Sequence, residues 1–395
     1  MKIETGKGTI TLKALLAIWS VSALTSLPGL AVSPILDKLT KVFPGATEME
    51  LQMLTSLPSL LIIPFVLLSG HLAERVGFVR SLLWGLWLFL ISGVLYLFCG
   101  AVWQLIAVSV LLGVGSGIII PLSTALVSRY FVGEYRTRQF GYSSAITNAS
   151  LVIATALTGY LANIQWRLPF VVYLLPAISI MLVPFLSKEK SVSDTSTAVA
   201  KNSLPATDYR ALAMYSAYYF FITYLIVVIN FNLPFLMGEY KLGSGSTGIV
   251  TSLFFLSIML PGFFLPQLLR IMRGHITQYC LALIGLGLWI VYLYGSVYTI
   301  AIGCIITGFG YGVAQPYLYD RGAAVAPRNS SFALAVIMAM NYIAIVVAPF
   351  FIDNLQEWVA AGSQRFPFGL NAALSFVGII IILIVNVFTE YRHSK

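Results

Sequence analysis

Charged residues are scarce in this sequence. Asp, Glu, Lys and Arg make up only 9% of its 395 residues, whereas a soluble domain carries about 25%. A soluble protein of this size could not cover its surface with so few charges. Apolar residues account for 59% of the chain, and the mean hydropathy is +0.90. These values predict a protein that is solvated mainly by lipid.

Residues that carry catalytic or metal chemistry are also few. The three cysteines, Cys99, Cys280 and Cys304, lie inside apolar stretches without metal-ligand spacing, and an odd number fits no disulfide framework. The three histidines have no Cys, Asp or Glu at ligand spacing. The net charge of +9 comes without a Lys/Arg-rich run or a nucleic-acid motif. We therefore expect no catalytic residue, no metal, no cofactor and no nucleic-acid partner, which argues against an enzyme.

Long apolar segments dominate the chain and are too long for transmembrane β-strands. A membrane-spanning helix needs about 20 apolar residues, and on that basis the sequence predicts twelve spans. Their approximate ranges are 13–36, 49–69, 80–100, 103–128, 139–162, 168–187, 209–236, 246–268, 277–297, 298–319, 331–353 and 367–390. The boundary between the ninth and tenth spans rests on Gly295 and Ser296 alone.

The basic residues are distributed unevenly between the loops. If both termini are cytoplasmic, 18 of the 23 Lys and Arg residues lie on the inner side and five on the outer side. This asymmetry predicts cytoplasmic termini for a multi-pass protein of the cell membrane. The short loops favour a bacterial inner or plasma membrane.

A polar segment divides the chain into two similar parts. The Ser/Thr-rich residues 188–208 have no apolar periodicity, which predicts a flexible cytoplasmic linker. Residues 1–187 and 209–395 would each contain six spans. The sequence therefore predicts an all-α membrane protein of twelve transmembrane helices in two six-helix pseudo-repeat halves, as in many secondary transporters.

The loop between the second and third spans carries a recognisable motif. Residues 70–80 read GHLAERVGFVR, which resembles the G-x-L-[AS]-D-R-x-G-R-[RK] signature of the major facilitator superfamily. The positions that match in register are Gly70, Leu72, Ala73, Arg75 and Gly77. Glu74 keeps the charge of the usual Asp, whereas Phe78 and Val79 replace two basic positions and Arg80 offers one nearby. The resemblance implies a major facilitator fold over the whole chain and a loop that latches the cytoplasmic side, with Gly70, Leu72, Glu74, Arg75, Gly77 and Arg80 as its residues.

Two further segments resemble the drug and sugar efflux branch of that superfamily. They are Trp166–Phe170, which matches W-R-x-P-F, and the glycine-rich Gly113–Gly117, for which helix packing is the simpler interpretation. Two departures weaken an assignment as a drug/proton antiporter. Val110 occupies a position where that branch has arginine, and Ala154–Gly159 keeps only the last glycine of its G-P-x-x-G-G motif.

Polar residues recur at helical spacing in several predicted spans. Binding sites in such folds lie near the bilayer midplane, where a polar side chain needs a partner or water. The candidate substrate-binding residues are Asn148, Tyr219, Asn230, Tyr311, Gln315 and Asn341. Each has an alternative interpretation as an interfacial anchor or a helix-packing contact. Aromatic walls with a few amides suit a neutral or amphipathic organic ligand.

No acidic residue lies in the middle of a predicted span. All fourteen are in loops or near span ends, although proton carriers in pumps are commonly buried carboxylates. The candidates for proton coupling are therefore Asp37, at the outer end of the first span, and Asp320, at the inner end of the tenth. A hydrated charge at a helix end is the alternative for both.

These features together predict a secondary transporter of a small organic molecule that works by alternating access. Efflux is the expected direction and proton antiport one coupling mode. An uncoupled facilitator, or an importer of a sugar-like or other small metabolite, is the alternative. A membrane-embedded sensor or enzyme fits less well, because no output domain or catalytic cluster is evident. The expected partners are the substrate, protons where transport is coupled, and the lipid bilayer around a monomer.

Overall fold

The computed structural model consists almost entirely of helices. It describes residues 2–6, 8–28, 39, 42–46, 48–188, 205–242, 244–272, 274–358 and 363–393. A short antiparallel hairpin begins the chain, with β1 (Lys2–Glu4) paired to β2 (Thr9–Thr11). Ile3 lies opposite Ile10 in this hairpin.

Thirteen α-helices follow within the described residues. They are α1 (Leu12–Ser22), α2 (Glu48–Arg75), α3 (Phe78–Phe98), α4 (Val102–Tyr130), α5 (Gly133–Ile164), α6 (Pro176–Leu182), α7 (Tyr209–Glu239), α8 (Ser244–Met259), α9 (Leu265–Ile271), α10 (Ile276–Leu293), α11 (Val297–Val325), α12 (Ser330–Trp358) and α13 (Phe366–His393). Short 3₁₀ segments flank α6 at Leu168–Leu174 and Val183–Lys188, and another at Leu260–Phe263 joins α8 to α9.

The helices agree with the predicted spans. Eleven described segments are long and apolar enough to cross a membrane, and α1 is a shorter apolar helix at the start of the predicted first span. Residues 29–36 of that span lie outside the described part of the chain. The uncertain boundary between the ninth and tenth spans is confirmed, since α10 ends at Leu293 and α11 begins at Val297.

The contacts between residues divide the chain into two compact units. The first contains residues 1–216 together with 318–342, and the second contains 217–317 together with 343–395. The first unit thus includes parts of the predicted second half, namely the start of α7, the end of α11 and the start of α12. Residues 189–204 of the predicted linker are outside the described residues, so the division into two six-helix halves stays a prediction.

The glycine-rich stretch of α4 is a packing surface, which confirms the simpler interpretation. A side chain at Gly113 would lie 2.9 Å from the Pro58 carbonyl oxygen of α2, and one at Gly117 would lie 2.6 Å from Cβ of Phe65. On the neighbouring face, a side chain at Gly115 would lie 2.8 Å from the Phe89 nitrogen of α3. The three glycines let α2 and α3 approach α4 backbone to backbone.

We expect Gly115→Leu to destabilise the first unit by about 1–3 kcal/mol through overpacking. The inserted side chain would force α3 away from α4. Gly159→Leu on α5 is the matched control, because no atom lies within 4 Å of a side chain added there. The measurement is the monodisperse fraction that survives heating in detergent. Equal survival of the two variants would contradict the packing interpretation.

Partly buried polar contacts join α1 and the turn that follows it to α5 in the same unit. The Thr147 hydroxyl donates to the Ser22 carbonyl at 2.9 Å, and the Ser26 hydroxyl donates to the Thr147 carbonyl at 2.8 Å. Trp19 Nε1 donates to Gln139 Oε1 at 3.1 Å nearer the start of both helices. These bonds satisfy polar groups of the two helices and hold them side by side.

Close approach also organises the second unit. A side chain at Gly308 of α11 would lie 2.7 Å from the Phe254 carbonyl oxygen of α8 and would clash with Ser257 Oγ. Gly312, one turn later, approaches the backbone of Ile258 in the same way. Elsewhere in the unit α10 packs along α13, where the Ser375 hydroxyl donates to the Leu281 carbonyl at 2.8 Å.

Candidate functional site

Three of the predicted substrate-binding residues form one hydrogen-bonded cluster in the second unit. Gln315 Nε2 donates to the Tyr219 hydroxyl oxygen at 3.0 Å, and the Tyr219 and Tyr311 hydroxyl oxygens are 3.3 Å apart. The two tyrosine rings are nearly parallel, with centroids 6.4 Å apart. Tyr219 and Tyr311 are buried, whereas Gln315 is half-buried. We call Tyr219, Tyr311 and Gln315 the tyrosine–amide cluster.

The backbone of α11 places this cluster against α7. Gly308 and Gly312 bring one face of α11 onto α8, while Tyr311 and Gln315 follow each other at four-residue spacing. Residues at this spacing lie on one helix face. Thr223, one turn after Tyr219 on α7, also forms a side-chain hydrogen bond with Tyr311. The half-buried amide can hydrogen-bond the polar atoms of a ligand, whereas the buried rings could stack on a planar ligand only in a state of the transporter that exposes them.

The other predicted amides are not in this cluster. Asn148 on α5 is buried in the first unit, where its Nδ2 donates to the Ser144 carbonyl of its own helix at 2.9 Å. Asn341 on α12 is half-buried in the first unit, and Asn230 on α7 is exposed in the second. Their predicted contact with substrate stays a prediction.

The signature loop between α2 and α3 turns at Gly77. This glycine has φ +100°, a backbone conformation that L side chains rarely adopt. Among the described residues no atom lies within 4 Å of a side chain added there, so the glycine serves the turn and not a close approach of helices. Arg75 and Arg80 are exposed and Leu72 is half-buried. The Glu74 side chain and the whole of Asp37 lie outside the described residues.

Close approach in the signature loop region occurs at Gly70 instead. A Cβ atom at Gly70 would lie 3.5 Å from Cα of Phe332 and 3.9 Å from Cβ of Ala335, both near the start of α12. The next turns of α2, α4 and α12 share a buried apolar cluster. It contains Ile62, Val66, Ile120, Ala335, Met338 and Ala339. The Thr124 hydroxyl of α4 donates to Met338 Sδ at 3.6 Å beside this cluster.

An ion pair in the first unit joins the start of α5 to α11. Arg136 on the first turn of α5 donates through Nε to Asp320 Oδ1 of α11 at 2.6 Å. Its Nη2 reaches the Asp320 carbonyl oxygen at 3.3 Å, and the Thr137 hydroxyl donates to Asp320 Oδ2 at 2.9 Å. The two charged side chains are only 18% and 14% exposed. Both carboxylate oxygens are therefore engaged by charge-assisted hydrogen bonds. We call Arg136 and Asp320 the gate pair.

Sequence reasoning found only one member of the gate pair. Asp320 was predicted as a functional acid at the inner end of the tenth span, whereas Arg136 and Thr137 were not predicted as site residues. Arg136 is one of several basic residues expected at this end, and 184 positions separate it from Asp320. The sequence offers only a weak indication of this pair. Arg136 lies near the start of a predicted span and is followed by Thr137, whose hydroxyl also contacts Asp320.

The chain is similar to known membrane transporters in sequence. The profile of the Major Facilitator Superfamily matches residues 14–349. The quinolone resistance protein NorA of Staphylococcus aureus is 28% identical over 142 residues, which cover 35% of this chain and 36% of NorA. The chain thus matches about a third of the length of this relative.

Solved transporter structures share the fold. The human organic anion transporter MFSD10 superposes with a TM-score of 0.72 at 16% identity, covering 93% of this chain and 97% of MFSD10. The proton:xylose symporter XylE superposes with a TM-score of 0.72 at 14% identity, covering 94% of each chain. These similarities show that this chain has the same fold, which twelve membrane-spanning helices fit.

Proposed function

Because the chain belongs to the major facilitator superfamily, we propose that it exports a small, amphipathic organic molecule by alternating access. Membership makes it a multi-pass membrane transporter rather than an enzyme. Export from a bacterial cell, with both termini in the cytoplasm, is the part of the proposal that needs testing.

The gate pair carries the proposal. Arg136 belongs to the first half of the sequence and Asp320 to the second, so their hydrogen bonds join segments that alternating access must separate. The distribution of basic residues supports a cytoplasmic location for this end of the helices. We propose that the gate pair closes the cytoplasmic side, with Gly70 of the signature loop seated on the start of α12 beside it.

The tyrosine–amide cluster supports an aromatic or amphipathic substrate. Its paired rings offer stacking surfaces and its hydroxyl and amide groups offer hydrogen bonds, with no charged side chain among its three members. NorA, whose name describes quinolone resistance, matches part of the chain. A planar drug-like molecule of this kind is therefore the first substrate to test.

Asp320 and Asp37 are the proposed sites of proton coupling. Protonation of Asp320 would remove the charge that Arg136 and Thr137 engage, and so would link proton binding to opening of the cytoplasmic side. The alternative is an uncoupled facilitator or an importer of a small metabolite. Asp37 would bind the coupling proton at the outer end of the first span.

Transport into inverted membrane vesicles tests direction and coupling together. An exporter should accumulate a quinolone inside such vesicles, and a proton antiporter should do so only when the interior is more acidic than the medium. Uptake that reaches equilibrium only, at the same level with and without the gradient, would favour a facilitator. Uptake by intact cells and none by inverted vesicles would contradict export.

We expect cysteines at Ser193 and Ser394 to resist an impermeant thiol reagent in intact cells. The background is a variant without Cys99, Cys280 and Cys304, and the expectation rests on the distribution of basic residues. A cysteine at the exposed Gly45, in a predicted outer loop, is the control that should be labelled. Labelling at Ser193 or Ser394 without permeabilisation would contradict the proposed topology.

A further inference from the structure

The N-terminal hairpin, residues 2–11, packs against the turn that leads into α5. The backbone N–H of Val132 donates to the Thr5 carbonyl at 3.0 Å. Thr5 is 4% exposed, and Ile10 is equally buried in the core of the first unit. A side chain at Gly6 would lie 2.9 Å from the Val132 carbonyl oxygen, so the backbones of hairpin and turn are in direct contact.

A side-chain hydrogen bond fixes the first turn of α5 to the same hairpin. The Tyr135 hydroxyl donates to Glu4 Oε2 at 2.6 Å, a charge-assisted bond. The Glu4 carboxylate is thereby held beside the N-terminus of α5, where a negative charge is favourable. Gly133, which starts the helix, has φ +59°, so the chain changes direction between the hairpin contact and Tyr135.

Tyr135 immediately precedes Arg136 and Thr137, the two consecutive residues that contact Asp320. Successive residues of an α-helix are about 100° apart around its axis. When Tyr135 points to Glu4, Arg136 and Thr137 therefore point to other sides of the helix, where they meet Asp320. The rotation of this turn about the helix axis controls both sets of contacts.

We propose that the N-terminal hairpin is a positioning element of the cytoplasmic gate, and that the Glu4–Tyr135 bond sets the rotation of α5 that presents Arg136 and Thr137 to Asp320. Glu4 and Tyr135 are positioning residues, since neither contacts Asp320 in the described contacts and both act through α5. The inference rests on the proposed gating role of Arg136 and Asp320. It adds a segment outside the membrane spans to the machinery that closes the cytoplasmic side.

The test measures gate opening without any substrate. A cysteine replaces Thr124, which is 8% exposed and contacts Met338 of the apolar cluster shared by α2, α4 and α12, in a background without the three native cysteines. A thiol reagent applied to inverted vesicles reaches this position only when the cytoplasmic side opens. Tyr135→Phe and Glu4→Ala are each expected to raise the labelling rate about threefold to tenfold, the range for one lost hydrogen bond of ordinary net strength at an exposed position.

Three further variants separate positioning from general destabilisation. Glu4→Gln keeps an acceptor for the Tyr135 hydroxyl and should stay near the parent rate. The double variant Glu4→Ala/Tyr135→Phe should equal either single variant, because both remove the same bond. Tyr142→Phe, also on α5, loses a hydrogen bond from Arg138 that does not involve the hairpin, and should leave the rate unchanged.

Asp320→Asn distinguishes failure of this inference from failure of the gate itself. If Asp320→Asn raises labelling but Tyr135→Phe and Glu4→Ala do not, the hairpin has no positioning role and the gate stands. If none of the three raises labelling, the gate proposal and this inference both fail. If Glu4→Gln or Tyr142→Phe raises labelling as much as Tyr135→Phe, the effect is unspecific and the inference is overturned.

Discussion

Asp320→Asn is expected to slow transport about tenfold at unchanged levels of folded protein. The substitution removes the charge engaged by Arg136 and leaves an amide that can accept from only one of its two terminal atoms. Removing one partner of a largely buried ion pair costs about 3–5 kcal/mol, and about 1.4 kcal/mol already shifts a two-state equilibrium tenfold. The measurement is the initial rate of quinolone accumulation in inverted vesicles.

A charge exchange tests whether the pair itself matters. Arg136→Asp alone should be as slow as Asp320→Asn, because two carboxylates would then face each other. Combining Arg136→Asp with Asp320→Arg should recover part of the rate. Thr137→Val, which removes one hydroxyl and no charge, should have a smaller effect. Wild-type rates in Asp320→Asn and in Arg136→Asp would show that the pair is not a gate.

Asp320→Asn also distinguishes a role in closing the cytoplasmic side from a role in proton coupling. If Asp320 also carries the coupling proton, Asp320→Asn should lose accumulation driven by a pH gradient while downhill exchange continues. A slower rate with the gradient response retained would assign Asp320 to closure alone. Asp37→Asn would then be the next variant to test for the proton site.

The helical spans could be predicted because lipid imposes a length and an apolar composition on each of them. The turn at Gly77 was predictable for a local reason as well, since a glycine between two spans is free to adopt positive φ. The hairpin was not predictable by the same reasoning. Its strands have three residues each and little apolar periodicity, and they are stabilised by contact with Val132 and Tyr135.

The candidate site could be predicted only in part, because periodicity identifies helix faces but not their partners. Tyr219 and the pair Tyr311 and Gln315 stood out at helical spacing on two separate helices. Their contact depends on how Gly308 and Gly312 pack α11 onto α8. The spacing of polar residues along one helix does not reveal this packing. The partner of Asp320 was missed for the same reason, since several arginines share its end of the membrane.

Tyr219→Phe is expected to raise the KM for quinolone transport about fivefold to tenfold while the maximal rate changes little. The variant keeps the stacked ring and removes the hydroxyl that accepts from Gln315 and pairs with Tyr311. This range corresponds to a net loss of about 1–1.4 kcal/mol, the size of one hydrogen bond to the substrate. Gln315→Leu should behave in the same way, because it removes the half-buried amide from the same cluster.

The neighbouring residue on α7 provides a matched control. The Tyr218 hydroxyl donates to the Thr277 carbonyl of α10 at 3.1 Å, away from the tyrosine–amide cluster. Tyr218→Phe therefore loses one tyrosine hydrogen bond of the same helix without altering the proposed site, and its KM should remain at the wild-type value. Should Tyr219→Phe and Gln315→Leu also keep the wild-type KM, the cluster would be a packing contact between α7 and α11. Substrate would then have to bind elsewhere, and the exposed Asn230 on the same helix would become the next position to vary.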